Sequence, residues 1–339
     1  MYRCFLLTLL CFFTACGKRT ELTKFSGFAQ GTTYNITYVA PDGTDIAAMQ
    51  TAVHEEFTRI DQALSNYRDD SAIEQFNAQK TTQPLVVDEE LMRLVNVARS
   101  IHRASEGCYD LTIKPLFDLW GFKKDVFSPP GAEALAKALE DVGMDKLEDA
   151  GDNRLRKIVP QLRIDVSSIG QGYTVERMAR ILEQSGVEHY LVEIGGELKI
   201  RGRKPDGKPW RIALEKPLPG ERRMHKIVSF DSGEPMALMA SGTYRHYFDQ
   251  DGKRYSHILD ARSGKPVEHN TVSVAILHPD PTLADAWSTA LLCLGTEQGL
   301  LAADKAGLAA LFIDQQGDEL IEHKSRAMSA IQGISFPER

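Results

Sequence analysis

Strand-like segments joined by short turns dominate the second half of this chain, and they constrain its fold more than any other feature. In "TYRHYFDQDGKRYSHILD", two such runs flank Asp251 and Gly252, a dipeptide typical of a tight β-hairpin. Further strands are predicted in "WRIALEKP", "HKIVSFDS" and "TVSVAILH". Helical patterns lie between the strands without regular βαβ alternation. We therefore predict an α+β fold with largely antiparallel or mixed sheets and interspersed helices.

Local signals predict several elements of the first half. In "FSGFAQGTTYNITYVA", Tyr34, Ile36 and Tyr38 alternate with polar residues, which predicts a strand entered through Gly31. A helix is predicted next, with Asp45 as its N-cap. A second long helix is predicted over residues 88–106, and another near residues 132–142, after a Pro-Pro-Gly break.

Two stretches of the second half contain glycines at informative positions. "LRKIVPQLRIDVSSIGQGYTVERMARILEQSG" predicts strand, turn, strand and amphipathic helix, with Asp165 at the end of the second strand. "HYLVEIGGELKIRG" predicts one long strand interrupted by Gly195 and Gly196. Paired glycines inside a strand indicate a bulge or a close backbone approach.

The N-terminus has the pattern of a targeting segment. Arg3 precedes an apolar run shorter than the roughly 20 residues that span a membrane. "FTAC" resembles a bacterial lipobox with Phe in place of the usual Leu, so residues 1–15 are predicted to be a lipoprotein signal peptide and Cys16 the lipidated first mature residue. Residues 16–24 would be a lipid-anchored tether. The alternative is a simple secretory signal with an incidental cysteine.

The cysteines and the net charge limit which metal sites and which partners can be expected. Apart from Cys16, the predicted mature chain contains Cys108 and Cys293, which show no metal-ligand spacing. Whether the two meet does not follow from the sequence, and we expect both to be small buried hydrophobic side chains. The net charge of −7 argues against a general nucleic-acid binder, so no nucleic-acid partner is predicted.

The common catalytic signatures are absent from the sequence, including the Gly-x-Ser-x-Gly elbow, His-Glu-x-x-His, the Walker lysine loop and the full dinucleotide fingerprint. "SSIGQG" contains the glycines of a tight turn into a helix, where backbone N–H groups near Gly172 could face a phosphate. Asp165 before this turn is more simply interpreted as a cap.

Three polar residues in "ADAWSTALLCLG" allow two interpretations. Asp285 and Thr289 are four residues apart and share one helix face, with Ser288 beside them. Asp285 as an N-cap is the simpler reading, and a Mg²⁺ site with oxygen ligands is the alternative. His257, in "RYSHILD", is either a structural strand histidine or part of a site at the strand end.

Taken together, eight segments in order resemble the FAD:protein FMN transferases, also called ApbE-type flavin transferases, over about residues 27–331. They are "GTTY", "LSNYRDDSAIEQFN", "YDLTIKPLFDLWGF", "IDVSSIGQGY", "YLVEIGGELKIRG", "ASGTYRHYF", "YSHILDARSGKPVEHNTVSV" and "ADAWSTALLCLG". The resemblance implies a single large catalytic domain over residues 25–337.

The resemblance also implies a reaction and a location. Members use Mg²⁺ to split the pyrophosphate of FAD, moving FMN onto a Ser or Thr hydroxyl of a target protein and releasing AMP. Known targets are membrane redox-pump subunits of the Nqr and Rnf types. We therefore expect FAD and such subunits as partners. We also expect a periplasm-facing lipoprotein of the bacterial envelope, anchored to the inner membrane.

By position, the resemblance implies a set of site residues. His257 would be the catalytic base. The implied metal ligands are Asp285, Thr289 and the Ser168 carbonyl, with Ser288 adjacent. The implied FAD-binding residues are Gln30, Tyr67, Cys108, Tyr109, Asp110, Asp165, Gln171 and Leu259.

Two positions depart from the family pattern. Gln30 replaces a Met that lies against the flavin, and Gln171 stands where many members have Lys. Gln171 can hydrogen-bond a phosphate but cannot neutralise it, so FAD affinity or rate would differ. Two other functions stay open: an FAD pyrophosphatase that yields FMN and AMP, and a non-catalytic flavin-binding lipoprotein.

Overall fold

The computed structural model describes residues 22–220 and 223–337. The predicted signal peptide 1–15, its lipidation site Cys16 and most of the predicted tether therefore lie outside the described residues. Within the described ranges, no helix is both long and apolar enough to cross a membrane.

Three helices lie where the local sequence signals predict them. Asp45 caps the first helix, because its side chain accepts from the Ala48 N–H. The predicted helices over 88–106 and near 132–142 are confirmed with slightly shorter bounds. The α-helices are α1 Ile46–Leu64, α2 Ala72–Ala78, α3 Glu89–Ala104, α4 Lys114–Trp120, α5 Ala132–Leu139, α6 Gly170–Gln184, α7 Pro281–Ala306 and α8 Arg326–Ser329.

The strands are short and joined mainly by tight turns. The predicted hairpin at Asp251 and Gly252 is confirmed, with both residues at positive φ. The strands are β1 Leu22–Ala29, β2 Thr32–Val39, β3 Leu85–Val86, β4 Leu147–Asp149, β5 Arg154–Lys157, β6 Tyr190–Ile194, β7 Glu197–Arg201, β8 Trp210–Glu215, β9 Met224–Phe230, β10 Met236–Gly242, β11 Tyr247–Gln250, β12 Lys253–Ser256, β13 Leu259–Asp260, β14 Lys265–Pro266, β15 Thr271–His278, β16 Ala309–Gln316, β17 Glu319–Lys324 and β18 Ile334–Ser335.

One eight-stranded sheet organises the molecule. Its order is β1-β2-β6-β7-β10-β15-β16-β17, so its strands follow chain order, and neighbouring strands pair antiparallel. The segments between them leave the sheet to form helices and small sheets. The predicted α+β class with antiparallel sheets is confirmed.

The main sheet separates two apolar cores. On one face, α6 packs against α1 and α7, and α7 packs on β10 and β15. On the other face, β8, β9, β18 and α8 cover a smaller core that includes Trp210 and Phe230. A third cluster joins α4 and α5 to β13. Because α7 is covered from several sides, it is apolar nearly all round.

The start of the domain differs from the prediction. Leu22–Ala29 forms β1 and pairs along its whole length with β2. The last residues of the predicted tether, 22–24, therefore belong to the folded sheet. The turn of this hairpin is Gln30 and Gly31, both at positive φ, so the sequence pattern that predicted one strand belongs to two.

The glycine pair is also a hairpin turn, and not an interruption of one strand. Gly195 and Gly196 have φ of 59° and 97° and connect β6 to β7, with Ile194 opposite Glu197. Positive φ at both central residues is what a two-residue hairpin turn of type I′ requires. A Cβ on Gly195 would lie 2.5 Å from the Gln171 Nε2 atom, so close approach also demands glycine here.

The second strand predicted before α6 does not form, and side-chain amides take the place of a partner strand. Asn66 Oδ1 accepts from the Val166 N–H at 2.8 Å, and Asn77 Oδ1 accepts from the Ile164 N–H at 2.8 Å. The amide nitrogens of both asparagines donate to the Ile164 carbonyl. This segment, which carries Asp165, is thus held extended without belonging to a sheet.

Candidate active site

A cavity of about 320 Å³ collects nearly all of the predicted site residues. It opens between α4, the loop before α6, the β6–β7 hairpin and α7. Of the predicted residues within the described ranges, all except Gln30 and Ser288 line this cavity. Those that do are Tyr67, Cys108, Tyr109, Asp110, Asp165, Ser168, Gln171, His257, Leu259, Asp285 and Thr289.

Asp285 does not cap its helix. The cap of α7 is Asp280, whose side chain accepts from the Leu283 N–H at 3.1 Å. The Asp285 carboxylate lies within the helix, is only 3% exposed and accepts from the Gly172 N–H at 2.7 Å. A Cβ on Gly172 would lie 2.3 Å from the Pro281 carbonyl oxygen, so glycine is required where α6 meets α7. The capping interpretation of Asp285 is therefore wrong.

The helix N-terminus near Gly172 is thus already used by the protein. The Gly172 N–H donates to Asp285. This N–H therefore does not face a phosphate, although the sequence suggested that it could. The donation links α6 to the carboxylate of α7 and orients it toward the cavity.

Thr289 lies one turn after Asp285 and faces the same cavity. Its hydroxyl is 2.9 Å from Ser241 Oγ, which belongs to β10. Ser288 is fully buried, donates to the Asp285 carbonyl at 2.8 Å and lies 2.7 Å from Ser241 Oγ. The Ser288 hydroxyl is bound behind the site, and we therefore do not assign it as a metal ligand.

A second buried carboxylate, Glu197, was not predicted from the sequence. It is the first residue of β7, is 9% exposed and lines the cavity. Desolvation and repulsion from Asp285 raise the pKa of Glu197 well above its usual value. Burial raises the pKa of Asp285 to about 7 against the hydrogen bond from Gly172. The only local signal was a charged residue immediately after the glycine pair.

The raised pKa of Asp285 predicts a stability trend in the absence of divalent cations. Between its ordinary pKa of 3.8 and about 7, the folded state holds a proton that the unfolded chain releases. The free energy of unfolding should therefore fall as pH rises through this range, and Glu197 adds to the trend. Urea unfolding of wild type and Asp285→Asn from pH 4 to 8 measures it. If the unfolding free energies of wild type and Asp285→Asn differ by the same amount at every pH in this range, the titration of Asp285 is contradicted.

His257 lies just beyond the end of β12, with one ring nitrogen already bound. Its Nδ1 is 2.9 Å from the His246 carbonyl oxygen, which can only accept, so Nδ1 carries the proton and Nε2 is left as a proton acceptor. Burial lowers the pKa of His257 to about 4, so the ring is neutral at neutral pH. The His246 ring stacks on it with centroids 5.6 Å apart.

The loop before α6 and the first turn of α6 supply three predicted residues. Asp165 accepts from the Ser167 N–H at 2.8 Å, so it caps this turn as the residues alone suggested, and it also lines the cavity. The Ser168 hydroxyl donates to the Tyr109 hydroxyl at 3.1 Å. Gln171 donates to the Ile194 carbonyl at 2.5 Å, which ties the β6–β7 hairpin to α6.

One wall of the cavity is built around Asp110. Its carboxylate accepts from the Thr112 N–H at 2.7 Å and the Met144 N–H at 2.9 Å, and lies 3.3 Å from His102 Nδ1. Through these bonds, Asp110 stabilises the cavity wall. Tyr109, beside it, is buried, and desolvation raises its pKa.

Aromatic and cationic side chains that the sequence reading missed complete the cavity. Phe117 and Phe122 form an apolar side, and Lys114, Lys123 and Arg245 bring positive charge. Lys114 is buried and lies 3.1 Å from Glu74 Oε1. These residues carry no local pattern that distinguishes them from core or surface positions.

Tyr67 and Gln30 lie toward the outside of the site. Tyr67 is 76% exposed and lines both the main cavity and a neighbouring one. Gln30 lines only the neighbouring cavity, which also includes Gln171. Its predicted contact with FAD therefore requires a ligand that extends from one cavity to the other.

Cys108 and Cys293 form a disulfide, contrary to the expectation of two independent hydrophobic side chains. Their Cα atoms are 6.0 Å apart although 185 positions separate them in sequence. The bond ties the loop after α3 to the helix that bears Asp285 and Thr289. Asp260 lies within 4.8 Å of both sulfurs, but sulfurs bonded to each other are not thiolate ligands.

Removing this disulfide is expected to destabilise the protein strongly. The Cys108→Ala, Cys293→Ala double variant should lose about 2–5 kcal/mol of unfolding free energy, because the bond restricts the unfolded chain. Urea unfolding with and without a reductant measures the loss, and the double variant should not respond to reductant. Two free thiols in the oxidised native protein, counted by mass spectrometry, would contradict the pairing.

Comparisons with known proteins identify the family of this chain. The profile of the ApbE family matches residues 30–312. The FAD:protein FMN transferase of Vibrio cholerae is 36% identical over 324 residues, covering 94% of this chain and 95% of that protein. The crystal structure of Pseudomonas stutzeri flavinyl transferase ApbE is similar with a TM-score of 0.83 at 38% identity, covering 92% of this chain and 97% of that one. For the flavin transferase ApbE structure from Vibrio cholerae, the TM-score is 0.82 at 34% identity, with coverages of 91% and 99%. These matches confirm the resemblance predicted from the eight sequence segments, and the chain belongs to the ApbE family.

Proposed function

We propose that this chain transfers FMN from FAD to a Ser or Thr hydroxyl of a target protein and releases AMP. The observation that carries the proposal is the meeting of a buried carboxylate, Asp285, and a neutral imidazole, His257, in one cavity of an ApbE-family chain. Phosphoryl-group chemistry of this kind depends on positioning and charge neutralisation more than on covalent catalysis.

The oxygen atoms around Asp285 fit a Mg²⁺ ion. Mg²⁺ prefers oxygen ligands and keeps positions for water and substrate phosphates. Asp285, Thr289 and the Ser168 carbonyl would hold it, and Glu197, whose carboxyl oxygen Oε2 has no hydrogen-bond partner among the described residues, lines the same cavity. A bound Mg²⁺ would stabilise the charge that develops on the pyrophosphate and on leaving AMP.

His257 would act as the base. Its free Nε2 would accept the proton of the acceptor hydroxyl, whose oxygen then bonds to the FMN phosphorus while the bond from that phosphorus to the AMP phosphate breaks. Because burial lowers the pKa of His257 to about 4, the ring is neutral at neutral pH and its Nε2 is unprotonated.

The remaining walls suit the two halves of FAD. Phe117, Phe122 and Tyr109 offer apolar and aromatic surface for a planar ring system, and Lys114 and Arg245 offer charge for phosphates. A volume of about 320 Å³ is at the small end of ligand pockets. The neighbouring cavity beside Tyr67 and Gln30 would provide additional room.

One incubation separates this function from its two alternatives. The protein is mixed with FAD, Mg²⁺ and a candidate target subunit, and the products are analysed by mass spectrometry, with EDTA as the control. A covalent FMN adduct with AMP supports transfer. Free FMN with AMP supports the pyrophosphatase, and unchanged FAD supports a non-catalytic flavin-binding protein.

Target and location are part of the proposal. The family resemblance supports membrane redox-pump subunits of the Nqr or Rnf type as acceptors. The N-terminal lipobox-like segment supports a lipid anchor on Cys16 and a periplasm-facing position at the inner membrane. The disulfide between Cys108 and Cys293 is in keeping with an oxidising compartment.

A further inference from the structure

Glu197 is a buried carboxylate, and burying a carboxylate is energetically unfavourable unless it is compensated. It follows the Gly195–Gly196 turn, is 9% exposed and lines the cavity that contains Asp285 and Thr289. Its Oε2 atom is buried and has no hydrogen-bond partner among the described residues. Buried polar atoms are nearly always paired, and an unpaired buried charge is costly.

The charged neighbours do not satisfy this carboxylate. Asp285 repels it, and Arg245 is the one cation among the described residues that acts on it appreciably. The Arg245 guanidinium donates to the Gly195 carbonyl at 3.3 Å and lies 3.8 Å from Glu215 Oε2. Two carboxylates therefore line one cavity, and neither forms a salt bridge within the part of the chain that the structure describes.

Glu193, a second glutamate of the same hairpin, has a structural role and serves as a comparison. Glu193 lies on β6, where its Oε1 accepts from the Gly196 N–H at 2.6 Å and its Oε2 accepts from Asn35 Nδ2 at 2.6 Å. Both of its oxygens are used by the fold, and it does not line the cavity. Glu197, four residues later, lines the cavity, and its buried Oε2 has no hydrogen-bond partner among the described residues.

The hairpin that carries Glu197 is tied to the helix that orients Asp285. Gln171 donates to the Ile194 carbonyl, and Gly172, the next residue of α6, donates to Asp285. This chain of bonds holds the turn end of the hairpin and the Asp285 carboxylate at the same end of α6. The position of Glu197 relative to Asp285 is thus built into the fold.

We propose that Glu197 is a second carboxylate ligand of the divalent cation held by Asp285 and Thr289. The inference rests on the proposed function, because it assumes that a cation binds at Asp285. The inference also goes beyond the proposed function, because the metal ligands implied by the family resemblance do not include Glu197. Mg²⁺ sites in enzymes commonly use one or two carboxylates together with substrate phosphates.

The test measures cation binding directly, with Mn²⁺ as the probe and electron paramagnetic resonance of free Mn²⁺ as the readout. Glu197→Gln keeps the size of the side chain and removes its charge. We expect its Kd for Mn²⁺ to rise by at least about tenfold, the lower end of what loss of even a supporting residue costs a metal site. Glu193→Gln, the matched control, should keep the wild-type Kd. A wild-type Kd for Glu197→Gln would overturn the proposal.

Asp285→Asn separates this proposal from the one on which it rests. If Asp285→Asn loses Mn²⁺ binding and Glu197→Gln keeps it, only the role of Glu197 is wrong. If Asp285→Asn also keeps wild-type affinity, or wild type binds no Mn²⁺, the cation site itself is refuted.

A thermal unfolding series distinguishes a ligand from a structural residue. Without cation, Glu197→Gln should be at least as stable as wild type, because an unpaired buried carboxylate is removed. Added Mn²⁺ should raise the Tm of wild type and of Glu193→Gln much more than that of Glu197→Gln. A lower Tm without cation, combined with an unchanged Mn²⁺ response, would assign Glu197 to the fold and refute the proposal.

Discussion

Replacing Asp285 by alanine is expected to lower Mg²⁺-dependent FMN transfer by about 10²–10³-fold or more, while most of the protein stays folded. The physical reason is loss of the buried carboxylate that would hold the cation beside the pyrophosphate. The substitution also leaves the Gly172 N–H without its acceptor, which costs about 1–3 kcal/mol of stability. Asp285→Asn keeps an acceptor oxygen and removes only the charge, so it should lose activity with a smaller loss of stability.

The true helix cap provides the matched control. Asp280→Ala removes the side chain that accepts from the Leu283 N–H and should cost about 1 kcal/mol of unfolding free energy. Its transfer rate per folded molecule should stay close to wild type. Initial rates of adduct formation and urea unfolding of the three variants are the measurements. Wild-type transfer by Asp285→Asn would exclude the carboxylate from the mechanism.

Replacing His257 by asparagine is expected to slow transfer by about 10²–10⁴-fold and to leave FAD binding intact. The ring nitrogen Nδ1 binds a carbonyl of the fold, so only Nε2 is available to accept the acceptor proton. Asparagine retains a polar group but has no basic nitrogen. Single-turnover adduct formation gives the rate, and quenching of flavin fluorescence gives the Kd for FAD.

A histidine far from the cavity controls for nonspecific effects. His323 lies on β17, 3.5 Å from Asp314 Oδ2, and does not line the cavity. His323→Asn should keep the wild-type rate. Transfer at the wild-type rate by His257→Asn would remove His257 from the mechanism, and loss of FAD binding by the same variant would assign it to substrate binding instead.

Local patterns were sufficient where a few neighbouring residues decide the structure. Asp45 caps α1 through its own first turn, and Asp251 with Gly252 supplies the positive φ values of a hairpin. The i, i+4 spacing placed Asp285 and Thr289 on one face of a helix, and both line the cavity. In each case the determining contacts lie within four residues, so spacing alone carries the information.

Predictions failed where distant parts of the chain override a local preference. The extended segment around Asp165 resembles a strand, but Asn66 and Asn77, about 90 to 100 positions earlier, bind its backbone in place of a partner strand. Asp285 had the residue type and position of a cap, but α7 begins one turn earlier, at Pro281 after Asp280. Ser288 had ligand chemistry but is fully buried and does not line the cavity.

The sequence by itself determined the α+β class, the hairpin turn, the shared face of Asp285 and Thr289, and the order of motifs that indicated the family. These depend on local backbone preferences and on side-chain spacing. Only the tertiary structure decided that Cys108 meets Cys293 across 185 positions and that Glu197 lies in the same cavity as Asp285. Such neighbours are brought together by sheet order and helix packing, which spacing along the chain does not encode.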